Sequence, residues 1–139
     1  MDCVFCSICR GQEDAVVLDE TDQTLAFAPL DHISEGHMLV IPKEHHESLL
    51  DIPEPTLCAV MRHVRTLSRR LCADEFDGVN LLNDSGRAAH QSVQHFHVHL
   101  APRRAGDQLD LWPESSYDET ETGLIYEAVR RALTTSDGR

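Results

Sequence analysis

The sequence has no long hydrophobic run and little positive charge, and each deficit excludes a class of function. Nothing in its 139 residues approaches the roughly 18 consecutive apolar residues of a membrane span. The first residues also lack the basic region and apolar stretch of a secretory signal, so we expect a soluble, cytoplasmic protein. With 12 basic against 24 acidic side chains, the net charge of -12 repels nucleic-acid backbones and suits only a small phosphate held locally. We therefore expect no membrane partner and no nucleic-acid partner.

Cysteine is sparse as well, and its spacing does not suit a secreted disulfide scaffold. The five cysteines are an odd number and are not densely spaced along the chain. Three of them, Cys3, Cys6 and Cys9, stand near the start. Because thiols stay reduced in a protein without a signal peptide, this group indicates a metal or redox site rather than disulfide bonds.

The length fits one domain, and no feature of the chain divides it. Single domains commonly hold roughly 100–200 residues. The sequence contains no internal repeat, low-complexity block or long linker. We predict one domain over residues 1–139.

Hydrophobic patterning predicts strands, one long helix, more strands and a final short helix. The strands are predicted at 15–20, 24–28, 37–41, 78–83 and 94–101. Apolar residues at three- and four-residue steps predict a helix over 55–73, with His63 on its surface, and a shorter helix is predicted over 119–133. Because helices and strands do not alternate regularly, we predict an α+β fold with a largely antiparallel sheet of about five strands.

The most informative segment is the predicted fifth strand, in which histidines alternate with apolar residues. Side chains two positions apart on a strand share a face, so His95, His97 and His99 line one face of the sheet. An incidental surface row is disfavoured, because three crowded imidazoles would partly charge near a pH of about 6.5. The row therefore predicts a chemical role.

The histidine row has two chemical interpretations. Imidazole is the commonest transition-metal ligand, so the row could chelate a Zn²⁺ ion that activates water. Alternatively, the middle imidazole, His97, is a nucleophile whose neighbours orient it and bind an oxyanion. The preceding loop at 83–93 offers backbone N–H groups beside Gly86 and the Ser92 hydroxyl, which suit phosphate oxygens. This loop favours phosphorus chemistry.

Three separated motifs resemble those of one known family. The run His-Phe-His-Val-His-Leu-Ala at 95–101 resembles the signature of the histidine triad (HIT) family of nucleotide hydrolases and transferases. The start at 2–6 is similar to Hint-like microbial members, the run at 36–45 resembles the family's second signature, and Gln-Ser-Val stands at 91–93 where the family expects it. The resemblance covers about residues 2–104, leaves 105–139 as a C-terminal tail with a short helix, and implies the HIT fold and a homodimer.

The resemblance implies hydrolysis at the α-phosphate of a nucleotide through a covalent nucleotidyl-histidine. The expected substrate is a purine nucleoside phosphoramidate or a related adenylylated small molecule, which would yield AMP. Two alternatives are a diadenosine polyphosphate (Ap4A or Ap3A) hydrolase and a zinc-stabilised nucleotide-binding module without turnover.

The resemblance also implies roles for individual residues. His97 would be the nucleophile, while His99 and Ser92 would contact the phosphate or the departing atom. His37 is by analogy a neighbour of the triad, or else only structural. The implied nucleotide-binding residues are Phe27, Leu30, Asp31, Asn83, Gln91, Ser92, Val93 and His99.

In metal-containing relatives the first triad histidine joins two cysteines and an upstream histidine around a structural zinc. The matching positions here are Cys3, Cys6, His45 and His95. Four protein ligands would close the site, so Zn²⁺ would brace the fold rather than activate water. Cys9 and His46 stand close to this set but do not match the family's positions, and no organic cofactor is implied.

The chain departs from the family pattern in the implied nucleotide pocket and in the phosphate loop. Pro29 stands where the family carries an aspartate that receives the ribose hydroxyls, and Asp31 would substitute if the loop shifts by two residues. Phe27 and Leu30 would still hold the base by apolar contact. His90 stands where glycine is frequent, in a loop about one residue longer than usual. In the tail, Trp112 would cover the leaving group, meet the dimer partner or cap the core.

Overall fold

A five-stranded antiparallel sheet with one long helix forms the larger of two compact units, Met1–Asp107 and Gln108–Arg139. These features come from a computed structural model that describes residues 3–134. The single domain predicted over 1–139 stays a prediction. Met1, Asp2 and residues 135–139, including the first residue of the family-like start, lie outside the described residues.

The sheet confirms the predicted α+β fold class. Its strand order is β1-β2-β3-β5-β4, and every neighbouring pair is antiparallel. The elements of the first unit are α1 (Val4–Cys9), β1 (Val17–Glu20), β2 (Thr24–Phe27), β3 (Met38–Pro42), α2 (Glu54–Asp74), β4 (Gly78–Leu82) and β5 (Val98–Arg103). The second unit holds α3 (Glu119–Leu133), whose bounds match the prediction. No helix within residues 3–134 is long and apolar enough to cross a membrane.

The two faces of the sheet carry two separate apolar clusters. On one face, Val60, Val64 and Leu67 of α2 pack against even-numbered strand residues such as Val40 and Leu100. The other face carries a cluster of Phe5 from α1 with Leu25, Phe27, Leu39 and Ile41. Because side chains alternate along a strand, β2 and β3 contribute to both clusters. Each fully buried side chain of this size stabilises the fold by about 1.5–3 kcal/mol.

Helix α2 forms where the periodicity predicted it, but one of its residues is not where we expected. Pro55 lies in the first turn, where its missing N–H and fixed φ are compatible with a helix start. The prediction that His63 lies on the surface is wrong, because this side chain is 4% exposed. Its Nδ1 lies 2.8 Å from Thr24 Oγ1 and its Nε2 lies 2.8 Å from Asp19 Oδ2. His63 stands three residues after Val60, on the same buried stripe, so it reaches the β1–β2 hairpin.

The predicted fifth strand begins too early, at residue 94, whereas β5 begins at Val98. The residues before Val98 leave the sheet because the Phe96 N–H donates to the His46 carbonyl at 2.7 Å instead of to a neighbouring strand. Helix α1 was not predicted, since its six residues are too few to show a helical period. Helix α1 and the departure of residues 95–96 from the sheet bring Cys3 and Cys6, residues 45–46 and His95 together.

Candidate active site and metal centre

Four side chains from three parts of the chain converge at the end of the sheet covered by α1. Cys3 and Cys6 begin α1, His45 follows β3 and His95 precedes β5. Their candidate ligand atoms all lie within 4.8 Å of one another. The Sγ–Nδ1 distances are 3.4, 3.4 and 3.5 Å, and the two Nδ1 atoms are 3.2 Å apart. Tetrahedral zinc with bonds of about 2.0–2.3 Å requires ligand separations of about 3.3–3.8 Å. Four of the six ligand separations are therefore close to those of a tetrahedral metal site.

The surroundings of the cluster prepare its atoms for a cation. The Nε2–H of His95 donates to the Pro42 carbonyl at 2.7 Å, so the lone pair lies on Nδ1, which faces the cluster. Burial lowers the pKa of His95 to about 4, which keeps the ring neutral. Burial, together with the neighbouring Cys3, raises the pKa of Cys6 to about 11. The raised pKa favours the protonated thiol, whereas a bound divalent cation would favour the thiolate, because the thiolate is the form that coordinates it.

The two residues that resemble ligands by sequence position lie elsewhere. Cys9 packs against the apolar cluster around Phe5. Nε2 of His46 lies 3.0 Å from Glu44 Oε1. Of the three triad histidines, only His95 belongs to a candidate metal group among residues 3–134. The geometry therefore disfavours a chelate made by the whole histidine row.

His97 lies next to this cluster in a fixed orientation. Its ring is 2% exposed, and the Phe5 ring packs edge-on against it with centroids 5.2 Å apart. Nδ1 lies 2.7 Å from the His95 carbonyl oxygen, which can only accept a hydrogen bond. The proton is therefore on Nδ1, and Nε2 carries a lone pair. A nucleophilic imidazole needs this tautomer.

His99 presents the opposite tautomer, because His37 orients it. The Ile33 amide N–H donates to Nδ1 of His37 at 3.1 Å, so the proton of His37 lies on Nε2. This Nε2 lies 3.0 Å from Nδ1 of His99, which therefore accepts and leaves the proton of His99 on its own Nε2. Burial lowers the pKa of His37 to about 4 and, with neighbouring His97, lowers the pKa of His99. Both rings are neutral at pH 7.

The His97 and His99 rings have centroids 5.1 Å apart and are inclined by 71°. One imidazole offers a lone pair and its neighbour offers an N–H, and this arrangement suits attack on phosphorus beside a hydrogen-bond donor. Sequence reasoning left His37 undecided and did not consider Phe5. The Gly-His pair before β3 is the sequence signal for His37, whereas nothing in the sequence marks Phe5.

The predicted phosphate-loop residues fall into two groups. Asn83 donates from Nδ2 to the His97 carbonyl at 2.8 Å, and its Oδ1 accepts from Ser85 Oγ at 2.8 Å. The Gln91 side chain is likewise engaged with three backbone groups. Ser92 is exposed, and Val93 packs against the apolar cluster around Phe5. The hydroxyl of Ser92 is therefore available to a ligand, while the two amide side chains brace the loop.

The residues predicted to hold the nucleoside are not brought into one slot. Phe27 is 3% exposed, and its ring packs edge-on with Phe5 at 5.3 Å. Leu30 is 99% exposed, and Asp31 is exposed beside it. Their contact with base and ribose stays a prediction. Trp112, in the second unit, is 81% exposed.

The HIT domain family model matches residues 10–106, so the chain belongs to the HIT family. An adenosine 5'-monophosphoramidase of Candida albicans is 34% identical, over 97% of this chain and 93% of that protein. An adenylylsulfatase of Arabidopsis thaliana is 34% identical, over 95% of this chain and 70% of that protein. The crystal structure of a Zn-bound histidine triad family protein from Mycobacterium smegmatis superposes with a TM-score of 0.76 at 31% identity, covering 97% and 99% of the two chains.

Proposed function

We propose that this protein is a nucleotide hydrolase that splits adenosine phosphoramidates or related adenylylated small molecules to AMP. The observation that carries the proposal is the pair of complementary tautomers, a free Nε2 lone pair on His97 beside an Nε2–H on His99. The family membership and the relatives named for P–N and adenylyl sulfate substrates support the same chemistry.

The reaction proceeds in two displacements. Nε2 of His97 attacks the α-phosphorus and the P–N bond breaks, while the leaving nitrogen takes a proton from a water molecule and the Nε2–H of His99 donates a hydrogen bond to the phosphate. The His95 carbonyl stabilises the cationic ring of the nucleotidyl-His97 intermediate, because it accepts a hydrogen bond from Nδ1. The hydroxide formed from that water then attacks the same phosphorus and displaces His97, which regains its Nε2 lone pair as AMP is released.

The remaining roles follow the arrangement of the loop. The Ser92 hydroxyl and the backbone N–H groups of Ser92 and Val93 bind the non-bridging phosphate oxygens. Asn83 holds His97 through its carbonyl, and Asp31 receives the ribose hydroxyls in place of the aspartate that Pro29 replaces. Phe27 and Leu30 border the base.

We propose zinc as the ion of the Cys3–Cys6–His45–His95 cluster. The tetrahedral spacing and the mixed sulfur and nitrogen donors support it, as does the Zn-bound relative. Bound zinc would supply a structural cross-link between α1, the segment after β3 and the segment before β5. The reduced thiols that it needs also support a cytoplasmic location.

We further propose a homodimer through the edge strand β4. An apolar groove of about 180 Å³ lies beside this strand, and Leu49, Leu57, Met61 and Leu81 help to line it. Leu49 and Leu81 are 50% and 44% exposed. An open strand edge beside exposed apolar side chains is suited to pairing with a second copy.

Intact-mass spectrometry tests the reaction. The wild-type protein and His97→Ala are mixed with an adenosine phosphoramidate, quenched rapidly and examined for a covalently added AMP. We expect the adduct in the wild type and in the matched control His32→Ala, which changes an exposed histidine, and not in His97→Ala.

Other outcomes would point to the alternatives. Turnover by His97→Ala, or turnover that leaves no adduct, would overturn the nucleophile. Faster cleavage of Ap4A or Ap3A than of the phosphoramidate would identify a diadenosine polyphosphate hydrolase. AMP binding without turnover of any of these compounds would leave a nucleotide-binding module.

A further inference from the structure

One short segment joins the metal cluster to the phosphate loop. We call residues 42–49 the strap; it starts at the last residue of β3 and contains His45. Two carbonyls of the strap accept hydrogen bonds from the triad segment: Pro42 from the His95 ring and His46 from the Phe96 N–H, both at 2.7 Å. The strap also bonds to the phosphate loop, where the Glu47 carbonyl accepts from the Gln91 side chain at 2.6 Å and the Leu49 N–H donates to Ser85 Oγ at 2.9 Å.

Gln91 makes most of the connection to the loop. Its side chain is 8% exposed, and its Nε2 donates to the carbonyls of Glu47 at 2.6 Å and Val93 at 3.0 Å. Its Oε1 accepts from the Gly86 N–H at 2.8 Å. One amide therefore joins both ends of the loop over 86–93 to the strap, and Ser92 lies between the fixed ends. A buried amide that loses its partners carries a full desolvation cost, so these bonds are not readily exchanged for a ligand.

We infer that Gln91 is a positioning residue, which holds the loop in its phosphate-binding shape and couples that shape to metal binding at the cluster. The inference rests on the proposed function. Glu47 is two residues from the ligand His45, so release of the metal frees the same short segment that Gln91 holds. Binding of the metal and binding of nucleotide then favour each other, and linkage requires the effect to be equal in both directions.

The alternative is that Gln91 contacts the phosphate directly. That role requires at least one of its amide atoms to leave a backbone partner, with the loop opening between Gly86 and Val93. A direct contact would also give no reason for nucleotide to change metal affinity. An effect of nucleotide on metal affinity therefore distinguishes a positioning role of Gln91 from direct contact with the phosphate.

The experiment measures Zn²⁺ affinity by competition with a chromophoric chelator, with and without saturating AMP. We expect AMP to tighten Zn²⁺ binding by about five-fold or more in the wild type, the lower end of typical coupling. Gln91→Glu keeps the acceptor for Gly86 but cannot donate to the two carbonyls, so we expect the AMP effect to vanish. Gln108→Glu makes the same chemical change at an exposed residue of the second unit and should retain the effect.

A second variant guards against a folding defect. Ser85→Ala removes the other connection, to the Leu49 N–H, and should reduce the AMP effect even if Gln91→Glu does not fold. An unchanged AMP effect in both variants, or no AMP effect in the wild type, would overturn the inference. The AMP adduct on His97 distinguishes the two failures, because its presence without coupling would leave the proposed function standing.

Discussion

At the scale of single residues, the site depends on where protons lie on three rings. Backbone groups whose hydrogen-bonding roles are fixed settle the positions, since the His95 carbonyl can only accept and the Ile33 amide N–H can only donate. His37 passes the constraint on to His99. His37, His97 and His99 thus acquire different roles because hydrogen bonds to the surrounding backbone place their protons on different ring nitrogens.

Substitutions at His37 test this relay. Gln can accept from the Ile33 N–H through its oxygen and donate to His99 through its NH₂ group, whereas Leu can do neither. We expect His37→Leu to lower kcat by about 100-fold, the lower end for loss of one oriented hydrogen-bond donor to the reacting group, and His37→Gln to retain most of it. Steady-state kinetics with one phosphoramidate measures both. Equal losses in the two variants would contradict the relay.

The lowered pKa of His37 also predicts how stability depends on pH. The unfolded chain binds a proton at this residue near its ordinary pKa of 6.5, and the native protein only at about 4. Since the unfolded state binds more protons between these values, the free energy of unfolding falls as pH falls from about 6.5 to 4. Denaturation at a series of pH values should show a shallower fall for His37→Gln than for the wild type or for His90→Asn, which changes an exposed histidine. If the free energy of unfolding depended on pH equally in all three proteins, the assignment of this dependence to His37 would be wrong.

At the scale of elements, the predictions succeeded where a pattern was long enough to show its period. The long stripe of α2 was located within one residue at each end, and α3 matched at both ends. The six residues of α1 are too short for such a signal, and its start is fixed by Cys3, whose sulfur accepts from the Cys6 N–H. The early start predicted for β5 has a related cause. Alternation continues through His95 and Phe96, but the Phe96 N–H donates to the His46 carbonyl, a long-range contact that no local pattern encodes.

Helix α3 carries an element-scale prediction at Gly123. This glycine lies inside the helix with open space around its missing Cβ, so alanine fits without a clash. We expect Gly123→Ala to stabilise α3 locally by about 1 kcal/mol, because glycine loses more backbone entropy in a helix. Hydrogen exchange of the α3 amides should slow accordingly. Ala128→Gly, five residues later in the same helix, should speed the exchange by a similar factor, and no change in either variant would contradict the argument.

At the scale of the whole molecule, the site lies where parts distant in sequence meet, which explains the limits of sequence prediction. The four metal-site residues could be proposed from family positions, and the structure brings these four together while leaving Cys9 and His46 out. The engagement of Gln91 and Asn83 with the backbone could not be foreseen, because it depends on how the loop folds against the strap. The sequence carries the residue types, and the tertiary contacts decide which atoms remain free.

The proposed dimer makes a prediction at this scale. Leu81→Lys places a charge in the groove beside β4, and burying it against a second copy would be costly. We expect this variant to be monomeric by light scattering after size exclusion, while the wild type is dimeric. Leu18→Lys is the matched control, since Leu18 has a similar exposure of 48% on the opposite edge strand, β1. Dissociation by the control alone would place the interface at the other edge.

Metal removal tests what holds the separate segments together. A metal ion whose free concentration is 1,000 times its Kd raises the free energy of unfolding by about 4 kcal/mol. For a chain of this size, that corresponds to an increase of about 10 °C or more in Tm. We expect a chelator and Cys6→Ser each to lower Tm by this order, with no further loss when they are combined. Cys9→Ser is the control, because Cys9 lies one turn along α1 but outside the cluster. A chelator effect that survives in Cys6→Ser would place the ion elsewhere.

His97 keeps its Phe5 contact and its bond to the His95 carbonyl in the folded variant, so Cys6→Ser should still form the AMP adduct below its Tm.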